Sequence, residues 1–350
     1  MPQYLFYAGS FDEVFNICSL DTETERLSHI GSVRQPRPAH MALAPDNRKL
    51  YVASEMAGTP GGVCAYDLSD PAHPVRISDV RPGTQGPCFI MLTEDFRHLI
   101  GCSYSEGIVE VFPVRPDGSL GERCYEHRLS VPAFKSAPLY RGSSQATPRA
   151  HGAAQVRGTD LVLVTDFSND RVICFRLGAD GALTEVSGLS CVRGEEVRHF
   201  ALHPTQDDLV YLLTQSGNLY VIGVDRATGA LRDLGGIHTL PAGRAGMGSA
   251  VKCSPDGRWI YATNRQNRNI SVLSIGGDPE HPVHAGVLEN AGFVRDLALT
   301  PDGGYLLSGD QQANTLTVYR VPEGEGLPER VAGERFLVES PTCLVFLNPK

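Results

Sequence analysis

Residues 249–275, SAVKCSPDGRWIYATNRQNRNISVLSI, contain three strand-like runs and two tight turns in 27 positions. An apolar run ends in Pro255-Asp256-Gly257, a turn signal, and WIYATN follows as a β-branched and aromatic strand. A polar loop holding Arg265 then leads into the alternating ISVLSI. The connections are too short for helices, so the unit reads as an antiparallel meander. Similar units begin at 40 (HMALAPDNRKLYVAS), 88 (CFIMLTEDFRHLIGCS), 151 (HGAAQVRGTDLVLVTD), 199 (HFALHPTQDDLVYLLT) and 296 (DLALTPDGGYLLSGD). Each is followed by a third strand such as GVCAYDL, RVICFRL or TLTVYRV, and by a looser outer one such as RISDV or RFLVE. Self-similarity at this spacing is the signature of four-stranded propeller blades.

The two ends complement one another. YLFYAGS, FNICSL and LSHIGSV supply second, third and outer strands without an inner one, while CLVFL at 343–347 is an inner strand with nothing after it. Joining them closes a ring and removes open sheet edges. The expectation is an all-β, seven-bladed propeller formed as a single domain over 1–350. Numbering the composite blade as blade 1 makes residues 249–275 part of blade 6. The one long irregular stretch, 129–150, is a loop before blade 4, and long loops in compact domains are often functional.

Composition narrows the function. The net charge of −9 and the lack of a basic stripe argue against a nucleic-acid partner. No apolar run is long enough to span a membrane, and MPQYLFYAGS runs straight into a strand pattern without a leader's features. The nine cysteines stand singly, with no C-x-x-C pair, which speaks against a disulfide framework or a zinc site. A reducing, cytoplasmic setting is expected, with no cofactor and no metal. Oligomeric state is not legible, because a propeller closes its own edges.

Strand polarity selects candidate site residues. Starts of inner strands and ends of second strands share one face near the central channel. The first group supplies His40, His151, Arg198, His199, Arg295 and Asp296, and the second Glu55, Tyr104, Asp166, Gln215, Arg265 and Gln311. Arg198 and Arg265 aimed at one mouth repel each other unless an anion lies between them, which implies an anionic ligand. No nucleophile elbow, P-loop or G-x-G-x-x-G is present. In TDFSNDR, Asp166 and Arg171 are spaced for a loop ion pair.

These residues resemble the lactonase-type seven-bladed propellers, the group that includes propeller 6-phosphogluconolactonase and the carboxy-muconate cyclizing enzyme. The resemblance covers essentially the whole chain and rests on SYSEGIVEVFPVRPDGSLGE (103–122), AHGAAQ with DFSNDRVICF (150–175), VRHFALHP (197–204), SPDGRWIYATNR (254–265) and VRDLALTPDG (294–303). It implies that His151, Asp166, Arg171, Arg198, Arg265 and Gln311 line the channel top. The chain departs from the pattern at Phe89 and Arg149, where histidines are usual, at Glu196-Val197 in place of Gly-Pro, at Gln215 in place of a glutamate, and at Ala250 and Lys252 in place of Glu and His.

The leading expectation is hydrolysis of a carboxylated or phosphorylated lactone by an enzyme resembling 6-phosphogluconolactonase. His151 would be the general base, and Asp166 would orient it. Arg198 and Arg265 would hold the anion and stabilise developing charge. Asp166, Arg171, Gln215, Gln311, Arg149 and Lys252 would contact substrate. Two alternatives stand beside it: a cycloisomerase making a lactone from a muconate-type dicarboxylate, and a non-catalytic binding or scaffold propeller. Gln215 weakens the former because an amide does not titrate. The polar character kept at Arg149, Lys252 and Gln215 points away from the latter and toward altered specificity.

Overall fold

The structure, a computed structural model, describes residues 3–132, 135, 144–240, 246–333 and 336–348. The chain forms seven antiparallel sheets around one axis, six of four strands and a seventh whose outer edge is split in two. Blade 1 is the composite expected from the sequence: the C-terminal strand Pro341–Phe346 pairs with Gln3–Ser10, which continues to Val14–Asp21 and Arg26–Arg34. Phe6 faces Phe346 across this seam, their ring centroids 5.1 Å apart. In blade 7, Thr315–Arg320 carries two short outer pieces, Glu329–Arg330 and Phe336–Leu337. The sequence reading had one outer strand there, RFLVE, of which Arg335 lies outside the described residues.

Blades are held to one another by side chains of the middle strands. Leu163, Val172 and Cys174 of blade 4 pack on Val210, Leu212 and Ile222 of blade 5, all fully buried. Successive strand residues point to opposite faces, so both faces of these strands are apolar because each lies against a neighbouring blade. The six other interblade clusters are built in the same way.

The inner strands are Pro38–Leu43, Phe89–Leu92, Ala150–Gln155, Val197–Leu202, Gly248–Cys253 and Val294–Leu299, with Pro341–Phe346 completing the ring. Six of the seven slip by one residue near their start. The extra residues are Ala39, His151, Arg198, Ser249, Arg295 and Thr342, and Cys88 holds the corresponding place in blade 3. A β-bulge of this kind re-aims a side chain and frees backbone groups. Threonines in the second strands satisfy some of them. Gly152 N–H donates to Thr165 Oγ1 at 2.7 Å and Ala250 N–H to Thr263 Oγ1 at 2.9 Å. Thr165 Oγ1 also donates to the Arg198 carbonyl at 3.1 Å, stitching blade 4 to blade 5. Gly152 permits this approach, since a Cβ there would lie 2.5 Å from that carbonyl oxygen.

Candidate active site

Two rings of residues meet at one mouth of the channel. The first is the set of bulge residues. The second is the residue after each second strand, whose backbone N–H, in every blade but blade 3, reaches the residue ahead of the neighbouring inner strand. Glu55 N–H donates to Arg37 O, Phe167 to Arg149 O, Gln215 to Glu196 O, Arg265 to Met247 O and Gln311 to Phe293 O, at 2.9–3.2 Å. This repeated bond explains why sequence position alone delivers the side chains to a common place.

At the centre is an arginine-rich cluster. Arg198 is 4% exposed; its Nη1 donates to His151 Nε2, and its Nε donates to Ser249 O at 3.1 Å. Arg265 is 8% exposed; its Nη2 donates to Gln215 Oε1 at 3.2 Å and Gly248 O at 3.3 Å, while its buried Nε has no partner. The Arg295 guanidinium stacks on Phe11, 4.6 Å from the ring centroid, and makes no hydrogen bond or ion pair with any described residue, while its carbonyl accepts from Ser249 Oγ at 2.8 Å. None of the three forms a salt bridge with a described carboxylate. Burial and their mutual repulsion pull the Arg198 and Arg265 guanidiniums below the usual arginine range, and burial does the same to Arg295. Such a cluster favours negative charge beside it.

His151 is almost fully buried and lies against Tyr104, Phe167 and His199, with ring centroids 5.4, 5.8 and 4.9 Å away. Burial, then Arg198 and Arg295, hold it neutral. Because arginine only donates, Nε2 is the acceptor and Nδ1 carries the proton. That Nδ1 is buried without a partner. The single lone pair expected to accept a proton from water is therefore occupied. Asp166 does not orient this ring either. Its carboxylate accepts from Asn169 N at 3.3 Å and Asn169 Nδ2 at 2.7 Å, capping the short turn Phe167–Asn169, and burial raises it to about 6.

Three carboxylates bear on the mouth. Glu196 adopts φ 55°, a left-handed conformation that glycine takes readily and other residues at a cost. Its Oε1 accepts from Ser144 Oγ and its Oε2 from Gln215 Nε2 at 2.5 Å. A chain thus runs from Ser144 through Glu196 and Gln215 to Arg265, and the acid absent from position 215 stands one residue further along it. Asp296 is taken by the Leu344 N–H at 2.9 Å and by Lys252 at 3.6 Å. Glu55 differs. Its carboxylate hydrogen-bonds no described residue, yet it is coupled to Arg295 of blade 7, Arg198 of blade 5 and Cys88 of blade 3, as well as Arg37. It therefore stands within electrostatic reach of the arginine cluster. Burial raises its titration above the usual glutamate range, although the arginines oppose this.

The remaining expected residues divide. Arg149 sits on the rim, stacked 4.3 Å over Tyr104 with Nε donating to Ser144 O at 2.7 Å. Gln311 is half-buried there, and its side chain bonds no described residue. Lys252 lies deeper in the channel. Arg171 is a correction: it makes no ion pair with Asp166 but reaches outward, Nη2 to Glu185 Oε1 at 2.5 Å across the outer strand. Arg171 and Asp166 are backbone partners in the ladder, but Asp166 turns back on its own cap and Arg171 follows its outer neighbour. Replacing Arg171 with alanine is expected to leave kcat/KM within about twofold, since exposed pairs contribute ~0–1 kcal/mol; initial rates of the variant check this. Arg295 and Glu55 were among the ring positions but carried no assigned role; their lack of partners, which marks them out, is a tertiary property. Among the described residues no group of three or more His, Cys, Asp or Glu is placed to hold a metal, and all nine cysteines are unpaired.

An all-β ring with a polar constellation at one channel mouth defines a propeller with a small-molecule site. The chain belongs to the Lactonase, 7-bladed beta-propeller family, matching over residues 6–346. It is 26% identical to the 6-phosphogluconolactonase of Bacillus subtilis (strain 168), with 99% of each chain covered. It is also 24% identical to an uncharacterized protein of Lactococcus lactis subsp. cremoris, over 86% of this chain and 85% of that one. The periplasmic gluconolactonase of Pseudomonas aeruginosa has the same fold, with a TM-score of 0.89 at 23% identity and 99% of each chain covered.

Proposed function

We propose that the protein hydrolyses a sugar-type lactone bearing an anionic group, at the arginine-lined mouth of its channel. Family membership supports a lactone substrate. The observation that carries the reading is the set of guanidiniums without a salt bridge to any described carboxylate, the buried Arg198 and Arg265 and the partly buried Arg295. Lactone hydrolysis passes through a tetrahedral oxyanion and ends in a carboxylate, so negative charge develops where these donors converge. Preorganised donors in a site shielded from water stabilise such charge strongly.

In this mechanism the lactone carbonyl oxygen lies against the guanidiniums. Water attacks the carbonyl carbon while Glu55, whose carboxylate hydrogen-bonds no described residue, accepts its proton. The tetrahedral intermediate collapses by breaking the ring carbon–oxygen bond, and Glu55 returns the proton to the leaving oxygen, giving a hydroxy acid. His151 acts through Arg198: its Nε2 fixes the guanidinium's direction. Burial keeps the imidazole neutral, so it adds no further positive charge to the cluster. The unpaired thiols suit a reducing compartment such as the cytoplasm.

The test is acid release followed by pH-stat from a panel of aldonic, aldaric and phosphorylated sugar lactones. Rates well above buffer on at least one charged member are expected; rates equal to buffer across the panel overturn the proposal.

A further inference from the structure

Below the arginine mouth, alternate residues of each inner strand share one face. One step below the bulges the register places His40, Phe89, Gly152, His199, Ala250, Asp296 and Cys343. Two residues further come Ala42, Met91, Ala154, Ala201, Lys252, Ala298 and Val345. Six of these seven are apolar, four of them alanine, so Lys252 is the one charged group in a belt of otherwise small or apolar side chains.

The ammonium reaches across to blade 7, 3.6 Å from Asp296 Oδ1, and its charge bears on Cys343 of blade 1, His40 of blade 2 and His199 of blade 5. Its side chain keeps 41% of its accessible surface although the channel walls surround it. Asp296 lies 3.6 Å away, beyond hydrogen-bond distance, and already receives the Leu344 N–H. Lys252 therefore has ammonium protons to donate, and Asp296 keeps it charged. The imidazoles beside it are neutral donors: His40 Nδ1 accepts from Ile90 N at 3.3 Å, which leaves its proton on Nε2, and the His199 ring hydrogen-bonds no described residue. Phe89 lies between them, 4.2 Å from His40 and 5.4 Å from His199 by ring centroids.

We infer that Lys252 is the core of a second anion site in the lumen, which binds a carboxylate or phosphate at the end of the substrate remote from its lactone carbonyl. The inference rests on the lactonase reading and deepens it: the mouth arginines serve charge made by the reaction, and Lys252 reads charge the substrate brings. Ser249 and Lys252 are three residues apart, ~10 Å along an extended strand. The lysine stem reaches back across part of that distance, so a six-carbon acid can touch both sites.

Three lactones differing only at the far carbon test this: those of gluconic acid, glucaric acid and 6-phosphogluconic acid, with a hydroxyl, a carboxylate and a phosphate there. Lys252→Met is expected to raise KM by about tenfold or more for whichever charged lactone fits, with kcat little changed and the gluconic lactone unaffected within about twofold. Lys252→Arg is expected to keep the preference for charge. An equal loss on all three lactones, no loss on any, or a wild type that prefers the uncharged one overturns the inference. Calorimetric titration with gluconate, glucarate and 6-phosphogluconate separates this from failure of the lactonase reading. Weaker binding of glucarate or 6-phosphogluconate by Lys252→Met, with gluconate unchanged, supports the second site even if no lactone is hydrolysed, and unchanged binding of all three rejects it.

Discussion

Arg198→Met lowers kcat by about 10²–10³-fold, the usual effect of removing one donor to a developing oxyanion, and leaves the protein at least as stable. Both halves have one cause. Arg198 is buried against Arg265 and Arg295 with no salt bridge to a described carboxylate, so its charge is a cost in the free protein that a bound anion offsets. Methionine fills similar volume without the charge and relieves that repulsion. Parallel pH-stat rates and thermal melts check the pair of effects. Wild-type activity in the variant would remove Arg198 from catalysis. A steep drop in melting temperature would make its role structural.

Glu55→Gln is expected to reduce kcat by ~10²–10⁴-fold, the range for a general base, and to change the shape of the pH profile. The direction follows from the carboxyl's environment. Burial raises its titration above the ordinary glutamate value, and the base works only when deprotonated. Wild-type activity therefore climbs as pH rises through that raised value and then levels off, whereas the variant shows no such limb. Stability runs the opposite way. A carboxyl with a raised native pKa favours the native state in its protonated form, so this contribution is present at low pH and lost as pH rises through the shifted value. An acid limb that survives in Glu55→Gln would assign the base to another group.

The architecture was legible because a propeller writes itself into the sequence as repetition. The fragmentary ends, YLFYAGS and CLVFL, each lack what the other supplies, and Phe6 meets Phe346 where they join. The site was legible as a set of positions, since the same backbone bond recurs after the second strands of most blades and brings Glu55, Gln215, Arg265 and Gln311 to one mouth. What the sequence could not show was which side chains already have partners. His151 looked like a free base until Arg198 was found on its lone pair. Asp166 looked like its orienting acid, but an Asn three residues on claims it. Arg171 sits opposite Asp166 in the ladder, yet Glu185 on the outer strand holds it. Glu196 read as a lost Gly-Pro, and in space it supplies a carboxylate next to Gln215. Each of these depends on rotamers and interblade distances, not on position in a repeat.

The central claim is that Arg198, Arg265 and Arg295 form one cradle for the carboxylate that lactone opening creates. A crystal structure of the protein with gluconate or 6-phosphogluconate bound tests it most directly. The product's C1 carboxylate is expected within hydrogen-bond distance of at least two of the three guanidiniums, with Glu55 beside it. A carboxylate bound elsewhere in the channel, with the three arginines still unpaired, would contradict the account.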